Sequence, residues 1–296
     1  MIWLFLTLFS AVFLGIYEVI KKHALKDNAV WLVLLYSTFS SSVVFLPLII
    51  LSASGAIEAG SYLYVPIISL QEHLLILTKT LIVLTSWVFS YFSLKNLPIT
   101  IASPIRATAP VWTLMGALVI YSERLSVVQW IGLVITLFFF FMFSTAGRKE
   151  GISFRHNKWV WFAVMGTLFA SASALFDKFL IQTIDRMAVQ AFFSVYQIVL
   201  LLPVVFVIRK TMANPLPLIW RWSIPLIGLF LVIADYLYFF ALDFPEALIS
   251  VVSTLRRGSV VVAFFFGAML FHEVNIGRKG ILLAGILIGI IILMMG

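Results

Sequence analysis

A chain of 296 residues that is 63% hydrophobic, only 11% charged and has a mean hydropathy of +1.13 is too poor in charge for a soluble domain, whose charged fraction is roughly a quarter. With no cysteine it has no disulfide framework, thiolate metal site or thiol nucleophile. The net charge of +8 is scattered over several loops, which excludes a nucleic-acid-binding patch and leaves a membrane protein.

The hydrocarbon of a bilayer requires roughly 20 apolar residues per helix. Ten windows meet that requirement in chain order: Ile2–Ile20, Trp31–Leu51, Leu74–Leu94, Ile99–Tyr121, Val127–Ser144, Trp159–Ile181, Met187–Ile208, Ile224–Leu242, Leu248–Phe271 and Gly277–Met295. Lipid offers no partner to backbone N–H and C=O groups, so such runs are helices. The first window lacks a basic front and a small-residue cleavage site, so it reads as a span rather than a removable signal peptide. Two breaks are longer than the rest. Ser52–His73, with Tyr62, Tyr64 and Pro66, is expected at the interface, and Ala146–Lys158 divides the chain in half.

The halves resemble each other. Setting "FLGIYEVIKKHAL" (Phe13–Leu25) on "FASASALFDKFLI" (Phe169–Ile181) aligns Phe13 with Phe169, Lys22 with Lys178 and Trp3 with Trp159. Further on, "YFSLK" (Tyr91–Lys95) matches "FFALD" (Phe239–Asp243), and "GALVIYSER" (Gly116–Arg124) matches "GAMLFHEVN" (Gly267–Asn275). Each half holds five spans. Because five is odd, the second half enters the membrane in the opposite sense, the inverted-repeat plan of many secondary transporters, whose substrate sites lie near the midplane.

Loop lysines and arginines set orientation. Odd-numbered loops carry thirteen, from Lys21, Lys22 and Lys26 after the first span to Arg278 and Lys279 before the last. Even-numbered loops carry Arg124 and Arg186, with Lys178 nearby. This asymmetry predicts cytoplasmic odd loops and outside termini, with residues 1–145 and 159–296 as five-helix repeats and 146–158 as a cytoplasmic linker. A bacterial inner membrane is the expected location.

The duplicated halves, each with a "YFSLK" or "FFALD" segment closing its third helix and a small-residue run ending in Glu123 or Glu273 closing its fourth, resemble the EamA type of the drug/metabolite transporter superfamily. The resemblance covers nearly the whole chain. It implies an all-α fold of ten transmembrane helices in two inverted five-helix repeats, a central cavity and alternating access. Relatives export amino acids, drugs or metabolites, and a neighbouring branch exchanges phosphorylated sugars and nucleotide-sugars. That branch carries a basic pair in its ninth helix, which "LRRGSVV" (Leu255–Val261) resembles. Relatives commonly have a basic second loop and cytoplasmic termini; here Ser52–His73 has two Glu and no Lys or Arg, and orientation follows the loop count.

An arginine or lysine at the centre of a span costs about 2.5–3.5 kcal/mol by insertion scales and therefore faces a cavity or a partner. Four such residues lie inside the windows: Lys79, Arg106, Arg256 and Arg257. Arg106 and Arg256 occupy repeat-equivalent spans and are expected to converge near the midplane. Ser103, Pro110 and Thr113 share a face with Arg106, while Ser250, Ser253 and Arg257 form a polar stripe on the ninth span, beside Arg256 and Ser259. Adjacent Arg256 and Arg257 point about 100° apart on a helix, so one is expected to address the substrate, with Arg256 the first choice. Lys79, six residues into its window, can snorkel. Asp235 is the one deep acid, able to neutralise an arginine or to carry a coupling proton. Glu18 with Lys22, and Asp177 with Lys178, are expected as interface or gate pairs near helix ends. Trp87, Tyr91, Trp112, Tyr236 and Tyr238 offer flat walls for a ring or apolar portion of a ligand.

A cavity with more deep cations than acids prefers an anion, and arginine forks suit phosphate or carboxylate. The leading expectation is a secondary exporter or exchanger of a small anionic metabolite. The alternatives are an exporter of amino acids or amphiphilic drugs and, further off, a lipid-carrier flippase. An enzyme is not expected: no nucleotide-binding glycine loop occurs, nor a nucleophile with an adjacent base. His23, His73, His156 and His272 are too scattered for a metal site. No cofactor is expected, and a proton or counter-substrate is expected to supply the drive. "GILIG" (Gly285–Gly289) permits close helix approach within the chain or in a weak homodimer.

Overall fold

A computed structural model describes residues 2–96, 105–106, 108–122, 124–145, 157–211, 218–259, 261–262, 265–266 and 276–295, and these are mostly helical, with no strand among them. The helices are α1 (Ile2–Leu25), α2 (Val30–Ala53), α3 (Leu70–Asn96), α4 (Ala109–Ile120), α5 (Val127–Thr145), α6 (Lys158–Thr183), α7 (Arg186–Thr211), α8 (Ser223–Leu242), α9 (Ile249–Arg256) and α10 (Ile276–Met295). Of these, α1, α2, α3, α6, α7 and α8 are long and apolar enough to cross a membrane. Large apolar side chains such as Phe5, Phe39, Phe138, Trp161 and Phe206 remain exposed around the outside, a surface suited to lipid and not to water. The protein is an integral, multi-pass membrane protein.

Several helix starts are written locally. Asp185 Oδ1 accepts from the N–H groups of Met187 and Ala188 at 2.8 and 3.2 Å, capping α7, and Asn157 caps α6 through the N–H of Trp159. Reciprocal bonds between Ser69 and Glu72 and between Ser126 and Gln129 form capping boxes at α3 and α5.

The principal helix pairs are α1 with α8, α3 with α6, α5 with α10, α2 with α7, α2 with α8, α3 with α7, α4 with α6, α4 with α9 and α1 with α9. Exchanging every helix for the one five places away maps this set onto itself. Serines and glycines allow the close approaches. Ser86 donates to Gly166 O across α3–α6, and Ser41 donates to Gly228 O across α2–α8. A Cβ at Gly228 would collide with the Ser37 carbonyl, and one at Gly166 with Ser90. Such small-residue contacts replace the hydrophobic drive that lipid removes. Gly285 and Gly289 lie against Phe139 and Thr136 of α5, so the "GILIG" face packs within the chain. One apolar core, including Leu4, Ile76, Leu133, Leu180, Val189, Leu255 and Ile286, runs through both halves.

Two predicted spans differ from the observed elements. The run predicted from Leu248 to Phe271 is interrupted: α9 ends at Arg256, Arg257 and Gly258 donate to Thr254 O and Leu255 O in a tightened turn, and helical geometry returns at Ser259, Val261, Val262, Phe265 and Phe266. Similarly, Ile105–Arg106 is helical, Thr108 is a turn, and α4 begins at Ala109 with Pro110 in its first turn. Proline at that position lacks only a donor that the helix could not use. Both breaks adjoin arginines. Alone, α4 and α9 have 12 and 8 residues, too few to cross the hydrocarbon.

Candidate functional site

The first break leads to a cluster formed by α1, α3 and the entrance to α4. Glu18 accepts from Lys21 Nζ at 2.7 Å and from Arg106 Nη2 at 3.3 Å. Tyr17 and Glu18 lie one turn before Lys21, so α1 presents all three on one side. The Lys21 ammonium sits 4.4 Å from the Tyr17 ring centre and 5.4 Å from that of Tyr91. The two tyrosine hydroxyls are 3.4 Å apart. The aromatic faces supplement the carboxylate in holding a buried ammonium.

A second cluster joins α3, α6, α8 and α9. Lys79 Nζ is 2.7 Å from Asp177 Oδ1 and lies 4.0 Å from the Phe239 ring centre and 4.4 Å from that of Phe193. Arg256 Nη2 is 2.9 Å from Asp235 Oδ1, and its guanidinium stacks 4.0 Å from the Tyr238 ring centre. Lys178 donates to Ala247 O at 2.6 Å.

Arg257 stands between these groups. It lies within electrostatic range of Arg106 and Glu18 of the first cluster and of Arg256 and Tyr238 of the second. Among the described residues no carboxylate pairs with it, and its buried Nε has no hydrogen-bond partner. Among the described residues six cations, Lys21, Lys79, Arg106, Lys178, Arg256 and Arg257, thus share the interior with three acids, Glu18, Asp177 and Asp235. Removing a charge from water without a partner is costly, and among the described residues Arg257 is the cation of this region with the least compensation.

Behind Asp235, on the side of α2 and α7, lies a small recess lined by Ser41, Gln190, Phe193, Ser194, Gln197, Leu231 and Val232. Gln190 donates to Val232 O at 2.8 Å, whereas the buried Gln197 Nε2 has no partner.

Several expectations are corrected here. Glu18 pairs with Lys21 and Arg106 instead of Lys22, which is exposed. Asp177 pairs with Lys79 instead of Lys178. Lys79 is only 2% exposed and does not snorkel. Asp235 is not the one deep acid, since Glu18 and Asp177 are also drawn inside by cations on neighbouring helices. Arg106 and Arg256 do not meet directly; each has its own carboxylate, and Arg257 links their surroundings. Trp112 is 42% exposed and donates to Thr108 Oγ1, so it does not wall the interior. Tyr236 packs on Phe240. Tyr91, Tyr238 and Ser253 are buried, and Trp87 is half-buried against the core. Ser103, Glu123 and Glu273 lie outside the described residues.

Lys21, Tyr17, Gln190 and Gln197 are absent from the sequence-derived site. Lys21 reads as a loop charge because it sits beside Lys22, although its spacing from Tyr17 and Glu18 places it on their side of α1. The glutamines carry no charge to mark them.

Residues 1–145 match the EamA-like transporter family. No curated protein matches the sequence. A crystal structure of another protein superimposes with a TM-score of 0.74 over 99% of this chain and 98% of the other at 12% identity, a likeness of fold alone.

Proposed function

Because residues 1–145 match the EamA-like transporter family, we propose that the chain is a transporter that carries a small phosphate- or carboxylate-bearing metabolite across the bacterial inner membrane by alternating access. The observation that carries this reading is Arg257, a half-buried residue whose Nε is buried without a hydrogen-bond partner and which has no carboxylate partner among the described residues. It sits at an interrupted helix, the kind of place where transporters bind ions because local backbone and side-chain groups are free to face a ligand. Arg257 is the primary anchor. Arg106 is a secondary contact from the partly open first cluster, and Tyr91, Tyr238 and Ser253 shape the surrounding walls.

Alternating access follows from treating residues 1–145 and 159–296 as inverted repeats. Helix pairing that survives a shift of five, and breaks beside arginines in both α4 and α9, support that plan. In the orientation set by the loop charges, the termini are outside, the Glu18 cluster faces the cytoplasmic half and the Asp177 cluster the outer half. Tightening one cluster while loosening the other would expose the anion site to each side in turn. Export or exchange of the anion, by a monomer or weak dimer, is the mode this reading favours.

A second reading rests on Glu18, whose side chain is 26% exposed beside Arg106. A carboxylate next to a guanidinium suits the two ends of an amino acid, so export of zwitterions is the competing class.

A thermal-shift panel on purified protein separates them. Phosphorylated sugars and dicarboxylates are expected to stabilise the protein, with the shift lost in Arg257→Gln. Stabilisation by amino acids that is lost in Glu18→Gln supports the second reading. Stabilisation by quaternary amines alone contradicts both.

A further inference from the structure

We propose that Asp235 is the binding site of a coupling proton, taken up from the recess between α2, α7 and α8, and that its protonation transfers Arg256 from Asp235 to the bound anion. This rests on the anionic-substrate reading above. It assigns a second ligand, the proton, and divides the arginine pair into a permanent anchor, Arg257, and a conditional one, Arg256.

Asp235 has two surroundings. It holds Arg256 at 2.9 Å, and it also lines the recess with Ser41, Gln190, Ser194 and Gln197. The recess has room on the order of one water molecule. Gln197 is 1% exposed and its Nε2 has no partner, so a water there would satisfy an otherwise orphaned donor. That water gives a proton a polar approach to Asp235 from the side opposite the arginines.

The groups facing Asp235 decide what its protonation does. From α9 comes Arg256. From α6 comes Asp177, which interacts electrostatically with both Asp235 and Arg256 and is itself held by Lys79 of α3. On α8 itself Tyr238 stacks under Arg256. The groups lining the recess from α2 and α7 are uncharged, as is Ser10 of α1, which donates to Ala234 O. The Asp235 carboxylate therefore competes with a substrate anion for one guanidinium. Adding a proton forms an O–H bond on Asp235 and breaks only the charge-assisted hydrogen bond to Arg256, whose N–H groups then turn to the ligand. A metal cation in the recess would add fixed charge next to an interior already richer in cations than acids, whereas a proton arrives with an anion that offsets it.

Linkage makes the effect reciprocal: if the proton strengthens anion binding, the anion draws in a proton, and because the two then cross together, this coupling selects exchange over net export. The test uses full-length protein in detergent and inorganic sulfate, which has no proton to exchange between about pH 5 and pH 8. Calorimetry in buffers of different ionisation enthalpy is expected to show uptake approaching one proton per sulfate. Sulfate affinity should fall as pH rises, by up to about tenfold per pH unit. In Asp235→Asn the uptake should vanish, and affinity should become independent of pH at the acid-limit value. Sulfate binding without proton uptake in the unaltered protein, a measurement that needs no variant to fold, overturns the proposal and leaves the anion reading intact. Uptake that persists in Asp235→Asn also overturns it. Failure of sulfate and of every anion in the thermal-shift panel to bind overturns both readings.

Discussion

The two ion-pair clusters use the same chemistry in different degrees of enclosure. At the end of α1, Glu18 and Arg106 retain side-chain exposures of 26% and 30%, and the bond between them is long at 3.3 Å. Between α3 and α6, Lys79 and Asp177 are 2% and 9% exposed, 2.7 Å apart, and walled by two phenylalanine rings. Coulombic attraction strengthens as water is excluded, but so does the cost of losing one partner. The enclosed cluster is thus the stronger tie between halves in this conformation, and the open one is the contact more readily rearranged by a ligand or a conformational change.

Substitutions that break each side of this contrast should differ in size. Asp177→Ala leaves Lys79 buried without its carboxylate and should destabilise the protein by about 3–5 kcal/mol, read as a large drop in Tm. The double variant Lys79→Met with Asp177→Leu should recover most of that loss, because an apolar pair needs no compensation. Gly228→Leu forces α2 and α8 apart at the Ser37 carbonyl, with an expected loss of about 1–3 kcal/mol. Arg106→Gln should change stability by at most about 1 kcal/mol, as for partly solvated pairs, because Glu18 keeps Lys21. Its effect should appear instead as severalfold weaker anion binding. Equal destabilisation by Asp177→Ala and Arg106→Gln would erase the distinction between the clusters.

Most of the helical framework was legible because roughly 20-residue apolar runs have one solution in lipid. Repeat matching found Lys22 with Lys178, yet Pro47 and Pro203 give an equally direct signal: each is the eighteenth residue of its helix, in α2 and α7. The deep arginines were legible from their cost in hydrocarbon. Their partners were not, because pairing depends on which helices touch. Asp177 meets Lys79 across α3–α6, while its chain neighbour Lys178 points to Ala247 O. The break at Arg257 was also hidden, since an apolar run reads as continuous although Gly258 marks the point where α9 yields.

Whether surplus positive charge around Arg257 selects an anion is read from flux through proteoliposomes. Reconstituted protein should be offered an organic phosphate and a quaternary amine of similar size as paired tracers. The account predicts flux of the phosphate alone, abolished in Arg257→Gln while the variant keeps its Tm in detergent. Flux of the amine with exclusion of the phosphate, unaffected by Arg257→Gln, would contradict it.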